Sequence, residues 1–295
     1  MRKMSFQNKC LPLWAAFVLL LMTTGCKRRE SLSPENYQLD HPQRNPLGKA
    51  LNEISGICFA QRNTLLAVSD SKDKIFEIHL ASRKLKDHTG KIVENDADLE
   101  DVVQVDSSIY VLESKGVIKE IKDGMTDTIG MKTYELPLAG KNDFETLYYD
   151  RTAGGLIMLC KTCAHEKGTG IRTAYRFDLA TKTFDSSAFF TIDKSEVRRL
   201  LNNANAKFDP SAAAIHPLNK RLYILSSAGN LLVVADTRGK VIDAYDLNPD
   251  EFPQAEGIAF APNGDMYISN EGKNNAPPAL LYFPYNQNGK KKDNP

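Results

Sequence analysis

Five acidic residues sit in five similar strings. Glu53 opens Glu53-Ile54-Ser55-Gly56-Ile57, Glu100 lies in Leu99-Glu100-Asp101-Val102-Val103, and Glu145 in Phe144-Glu145-Thr146-Leu147-Tyr148. Asp209 lies in Phe208-Asp209-Pro210-Ser211-Ala212 and Glu256 in Ala255-Glu256-Gly257-Ile258-Ala259. The steps from acid to acid are 47, 45, 64 and 47 residues. Each acid precedes small or apolar residues and then a strand of alternating character, so the five head equivalent elements. Carboxylates held close together repel and raise one another's pKa unless a cation or hydrogen-bond donors compensate. Calcium suits such a set, being a hard ion that takes roughly six to eight oxygens from carboxylates and carbonyls. The alternative is that each carboxylate accepts backbone N–H groups of the next unit and stitches the units together. The two uses can share residues, and not all five acids need be ligands.

A second set of polar residues closes the second strand of each unit: Ser69-Asp70, Glu113-Ser114, Cys160-Lys161, Ser226-Ser227 and Asn270-Glu271. Asp70, Glu113, Asn270 and Glu271 are weaker candidates to add oxygens or to hold a ligand, because turn chemistry alone favours Asp and Asn at such places. No catalytic residue can be assigned. The chain lacks a G-x-S-x-G elbow and an evident nucleophile–base pair. His216 follows Asp209 by seven residues, an odd offset that puts the two on opposite faces of a strand. His165, on an expected loop, is a freer base candidate, although a lone loop histidine is ordinarily just solvated. Phosphate sites add Arg or Lys, and Lys161 is the one basic residue in the second set, which favours binding over hydrolysis.

These residues need an architecture that repeats. Recurrence at about 45 residues in short strands is the sign of a β-propeller, one blade per repeat. After Glu53 come a turn at Gln61-Arg62-Asn63, a strand Leu65–Ser69, a polar turn and a strand Ile75–Leu80. After Glu256 come Pro262–Asp265, Met266–Ser269, Asn270–Lys273 and Leu280–Phe283 in the same order. Turn-rich gaps between β-branched and aromatic runs mark antiparallel meanders. The expected fold is all-β: a five-bladed propeller of four-stranded blades, in which the first strand of each unit lines a central channel and the acids converge near one mouth. The longer step between Glu145 and Asp209 is accounted for by an insertion between blades 3 and 4. Asp193-Lys194-Ser195-Glu196 has the spacing of a helix cap, and Val197, Leu200 and Leu201 share a helical face, which predicts a short helix over about 194–204.

The N-terminus reads differently. Arg2, Lys3 and Lys9 precede an apolar run, Leu11 to Met22, too short for the roughly 20 residues of a spanning helix and suited to a signal peptide. It ends in Thr23-Thr24-Gly25-Cys26, which resembles a bacterial lipobox with Thr23 in place of the usual leucine. Residues 1–25 are therefore expected to be a lipoprotein signal peptide and Cys26 the lipidated residue; the alternative is an ordinary secreted protein. Cys26-Lys27 lacks the aspartate associated with inner-membrane retention, which favours the outer membrane of a bacterial envelope. Residues 26–45 read as a tether, in which Tyr37-Gln38-Leu39 is either linker or a strand closing the ring on the last blade. The propeller is placed at 46–289 and a basic tail, with Lys290-Lys291-Lys292, at 290–295. With 38 basic and 37 acidic residues the net charge is +1, which gives no reason to expect nucleic acid; a monomer is expected.

Cys58 reads as a small core residue. Cys160-Lys161-Thr162-Cys163 has too few ligands for zinc and lacks the histidine needed for haem attachment. An i to i+3 pair on a regular strand lies about 10 Å apart, beyond the ~7 Å a disulfide spans. A tight turn at Lys161-Thr162 allows the bridge, ranked ahead of free thiols and of metal.

Taken in order, Glu53-Ile54-Ser55-Gly56-Ile57, Asp98-Leu99-Glu100-Asp101, Asp143-Phe144-Glu145, Asp209-Pro210-Ser211-Ala212 and Ala255-Glu256-Gly257-Ile258 resemble the SdiA-regulated family of bacterial envelope proteins over about 45–285. The resemblance implies a five-bladed propeller with calcium in or near the channel, distant similarity to NHL-repeat propellers, and no assigned activity. It supports metal roles for Glu53, Glu100, Glu145 and Glu256, while Asp209 departs from the glutamate of the other units. Two function classes follow: a lipid-anchored binding module for a small ligand or protein partner, and a calcium-dependent hydrolase of phosphoesterase or lactonase type at the channel mouth.

Overall fold

The computed structural model describes residues 33–60, 63–70, 74–87, 98–121, 131–272 and 276–286. The expected signal peptide, Cys26 and the basic tail lie outside these residues.

The first strand, β1 (Gln43–Pro46), is the outermost strand of the last blade. Blade 1 is the meander β2 (Ile54–Ala60), β3 (Thr64–Ser69), β4 (Lys74–His79) and β5 (Leu85–Asp87). Blade 2 is β6 (Leu99–Val105), β7 (Ser108–Glu113), β8 (Val117–Ile121) and β9 (Lys132–Glu135). Blade 3 runs β10 (Asn142–Asp150), β11 (Gly155–Cys163), β12 (Ile171–Asp178) and β13 (Thr183–Phe184), with β14 (Phe190–Asp193) on the other part of β12. Blade 4 is β15 (Ala212–Ile215), β16 (Leu222–Ser226), β17 (Leu231–Ala235) and β18 (Val241–Asp246). Blade 5 is β19 (Ala255–Phe260), β20 (Met266–Asn270) and β21 (Ala279–Phe283), completed by β1. The inner strands β2, β6, β10, β15 and β19 each pack on those of both neighbours and close the ring. This is the five-bladed all-β propeller that the repeat implied.

The apolar core lies between blades rather than in one centre. Each blade is apolar on both faces near the axis, as the fully buried β3 and β17 illustrate, and its two faces meet the faces of two neighbours. Five clusters result, one per seam. Leu147, Met158 and Phe177 fill the seam between blades 2 and 3 together with Leu112, and Leu225, Phe260 and Phe283 contribute to that between blades 4 and 5. Burying apolar surface at about 25 cal/mol per Å² on every face makes the seams the main source of stability.

Ring closure falls on a different segment from the one the apolar residues suggested. Gln43 pairs with Tyr282 and Pro46 with Ala279, so the closing strand is Gln43–Pro46 and not Tyr37–Leu39. An outermost strand has a solvated edge, where Pro and polar side chains are tolerated. Tyr37 and Leu39 instead plug the seam between blades 4 and 5. The Tyr37 hydroxyl donates to Gly264 O and meets His216 Nε2 at 2.8 Å. His216 Nδ1 accepts from the backbone N–H groups of Leu218 and Asn219, each at 3.1 Å. His216 is thus a buried structural residue, and burial holds its pKa down at about 4.

The insertion contains α1 (Lys194–Leu201), whose N-cap Asp193 accepts from Ser195 N. Val197 and Leu201 enter the seam between blades 3 and 4. The helix stops short of the expected 204 because Asn202 turns left-handed at φ 51° and ends it.

Candidate metal centre at the channel mouth

The inner strands begin at one mouth of the channel, and a β-bulge interrupts the first ladder of several blades there. In blade 2 Leu99 pairs with Glu113 and Asp101 with Leu112, leaving Glu100 as the extra residue. Glu145 is left over in the same way between Phe144 and Thr146, and Glu256 between Ala255 and Gly257. A bulged residue leaves the ladder and its side chain is re-aimed.

The same registers show that the five acids are not equivalent. Ile57, Val102, Leu147, Ala213 and Ile258 occupy corresponding positions, pairing with Ala67, Val111, Met158, Ile224 and Ile268. Two residues before them stand Ser55, Glu100, Glu145, Ser211 and Glu256. Four before them stand Glu53, Asp98, Asp143, Asp209 and Gln254. Backbone hydrogen bonds confirm the outer set: Asp70, Ser114 and Glu271, each the first residue beyond a second strand, donate to the carbonyls of Glu53, Asp98 and Gln254. Glu53 and Asp209 therefore belong to a ring two residues upstream of Glu100, Glu145 and Glu256, and the sequence alignment on acids merged the two.

Glu100, Asp143 and Glu145 each offer an oxygen within 4.8 Å of the others. Among the described residues they are the group of three side chains that could hold a metal ion. Asp143 was overlooked as a site residue, although alternation in Asp143-Phe144-Glu145 puts it on the face of Glu145. Glu256 lies close enough to raise the Glu145 pKa. Glu53 is exposed and outside this group. Asp209 is ion-paired with Arg172, which also holds the buried Glu166 at 2.8 Å. Of the second set, Asp70 adds to the field on Glu100 and Glu271 to that on Glu256. Glu113 is paired with Lys119 at 2.5 Å, and Asn270 is fully buried with Nδ2 donating to Glu251 O at 3.1 Å. His165 is not free: Nε2 lies 3.3 Å from Thr173 Oγ1 and 3.1 Å from Tyr175 OH.

The electrostatics are those of crowded acids. Burial first, then Glu145, Asp98, Asp143 and Asp70, push Glu100 up to about 9. Burial pushes Glu145 up to about 8 against the pull of Lys161, and Glu256 up to about 7. Lys161 pairs with Glu145. Burial lowers the Lys161 pKa, but Glu145, Asp143 and Glu256 together raise it above the ordinary lysine value. Glu145 Oε2, Asn270 Oδ1 and Ser69 Oγ are buried without a hydrogen-bond partner. An unpaired buried oxygen on Glu145, within a group of acids whose pKa values are raised, is what a hard cation would satisfy, and the all-oxygen set of Glu100, Asp143 and Glu145 fits calcium.

The stitching role goes to neighbours of these acids. Asp101, buried, accepts from Val102 N at 2.8 Å and from Leu147 N of the next blade at 2.7 Å. Ser211 Oγ donates to Ala255 O and Ser269 Oγ to Ser55 O, both at 3.0 Å and both across a seam. A Cβ at Gly56 would collide with Asp101, so glycine there allows the close approach of two blades.

The CxxC pair forms a disulfide, with Cα atoms 6.0 Å apart. The shortening comes from a bulge inside β11, where Phe144 pairs with Cys160 and Asp143 with Thr162, and not from a turn ending the strand. Cys58, half-buried in β2, is free.

Fold and site together define a five-bladed propeller with an acid-lined channel mouth. Residues 29–282 match the family model described as SdiA-regulated, and the chain belongs to that family. No curated protein sequence matches the chain. Among solved structures, a luciferin-regenerating enzyme is 11% identical, with a TM-score of 0.51 over 84% of this chain and 96% of its own. A candidate gluconolactonase is 12% identical, with a TM-score of 0.51 over 82% of this chain and 77% of its own. Regucalcin from Agrobacterium tumefaciens, a calcium-binding protein, is 13% identical at a TM-score of 0.47, over 83% and 92% of the two chains. At these identities the likeness is one of fold.

Proposed function

We propose that the chain is a lipid-anchored protein of the bacterial envelope, held through Cys26 and on the outer-membrane side of the sorting rule, that binds calcium at the channel mouth and presents a small ligand or protein partner over it. The observation that carries the cation is the trio Glu100, Asp143 and Glu145 with the unpaired Glu145 Oε2 within it. These residues would hold the ion, and Glu256 would complete the field. The ion would screen the mutual repulsion of the acids and offer a Lewis-acidic point to an anionic or carbonyl ligand. Lys161 competes with it for Glu145, so loading would free the ammonium to face the ligand.

A second reading, a calcium-dependent hydrolase, draws on the broad groove that Asp143 shares with the channel mouth. His165, its histidine candidate for a base, is tied to Thr173 and Tyr175, which leaves a channel carboxylate to activate water, and binding is preferred.

The test is elemental analysis of the purified chain together with thermal unfolding in calcium and in chelator. About one calcium per chain and a lower Tm in chelator are expected, both lost in Glu100→Gln while the fold is retained. A metal-free chain with no chelator effect would sink the reading.

A further inference from the structure

Beside the acid trio a groove of about 1220 Å³ runs between blades 2 and 3 and reaches the start of α1. Lys115, Lys141, Lys167, Arg172 and Lys194 line it, against Asp98, Glu135, Asp143 and the Arg172-paired Glu166. The four lysines form no ion pair among the described residues. The backbone holds three of them around one loop: Ala164 N donates to Lys141 O and Lys194 N to Gly170 O, both at 3.0 Å, and Lys167 lies between. Arg172 is fixed behind them, its side chain 9% exposed and paired with Glu166 and Asp209. Its Nε is buried with no acceptor.

We propose that this groove binds a phosphomonoester, its phosphate held by Lys141, Lys167 and Lys194 with Arg172 behind them, and its organic part directed along the groove away from Asp143. Several unpaired ammonium groups match a dianion better than a single carboxylate, and lysine contacts phosphate as a point charge. The groove exceeds the volume of a phosphate and is of the size that takes a small organic ligand. Burial and the neighbouring Arg172 hold the Lys194 pKa down, a repulsion that an anion relieves. The three lysines come from separate stretches outside the repeated motif, so no local pattern marks them. The proposal deepens the ligand-binding part of the function above and rests on it for that, but its lysines are distinct from the carboxylates that would hold the cation.

The experiment is calorimetric titration of the full chain with inorganic phosphate and with glycerol 3-phosphate, in calcium and in chelator. Wild type and Lys240→Ala, an exposed lysine of blade 4, are expected to bind alike. Affinity should fall about tenfold for each of Lys141, Lys167 and Lys194 replaced by alanine, with calcium content unchanged. Absence of binding by wild type, or equal binding by the triple variant, overturns the proposal and leaves the cation site standing. Phosphate binding by a chain that holds no calcium keeps the groove and removes the cation. If the triple variant fails to fold, Lys167→Ala alone, on an exposed loop, must weaken binding and Lys167→Arg must restore it.

Discussion

Blades 2, 3 and 5 place a glutamate where blades 1 and 4 place Ser55 and Ser211. The glutamates leave the ladder at bulges and crowd the channel mouth. At the serine positions the contacts go across seams instead: Ser211 donates to Ala255 O, and Ser55 O accepts from Ser269. One position of a repeated element thus does two jobs. Where the side chain is long and charged it leaves the ladder at the channel mouth; where it is the short Ser211 its hydroxyl joins blades, and at Ser55 the backbone carbonyl does so. The acids close enough to share one ion, Glu100, Asp143 and Glu145, come from blades 2 and 3, while Glu256 stands across the mouth on blade 5.

The sharpest way to break this division is at adjacent residues. Asp101→Ala removes the acceptor of two backbone N–H groups at a buried seam, and the expected loss is about 3 kcal/mol in urea unfolding. Glu100→Gln, one residue earlier, should cost little stability and abolish the calcium effect. Equal losses from both would show that the two acids share one role. Next in size, Cys160→Ser with Cys163→Ser should lower stability by about 2 kcal/mol, the loop-closure entropy of so short a ring, and should loosen Lys161 and hence cation binding.

A smaller effect is a slope against pH. Glu100, Glu145 and Glu256 have folded pKa values raised to about 9, 8 and 7, so in chelator the folded state holds more protons than the unfolded one. Their contribution is fully present below the unfolded value of about 4.5 and is lost as pH rises from there to about 9, steepest below 7 where all three still hold a proton only in the folded state, on the order of 1 kcal/mol per pH unit for each such group. Calcium should flatten the fall in Tm over that window, and an unchanged slope would separate the acids from the ion. The smallest effect belongs to Tyr37→Phe, which removes the link to Gly264 and His216 at a cost of about 1 kcal/mol. A larger loss would mean that the N-terminal plug helps to set blades 4 and 5.

The repeat made the propeller legible because every blade has to solve the same packing problem, so apolar strands and turns recur at nearly constant spacing. The acids were legible as a set, yet not their register. Glu53 and Asp209 stand before small or proline-containing stretches that mimic the other motifs, whereas the apolar residues Ile57, Val102, Leu147, Ala213 and Ile258 keep the true phase through their cross-strand pairs. Asp143 was hidden by attention to one acid per unit. The closing strand was hidden because an edge strand needs no apolar pattern, while Tyr37 and Leu39 do the packing without pairing. The CxxC bridge depended on a bulge that no local turn signal announces.

The position of β1 has a mechanical consequence. Any tension on the chain ahead of residue 33 reaches the propeller at the Tyr37 clip to Gly264 and His216 before it reaches the four-residue ladder of β1 on β21. A side chain buried in a seam must be drawn out of it whole, whereas ladder bonds at a strand end can open one at a time. The clip would therefore act as a strain relief, keeping a pull on the preceding chain from unzipping the strand that shuts the ring.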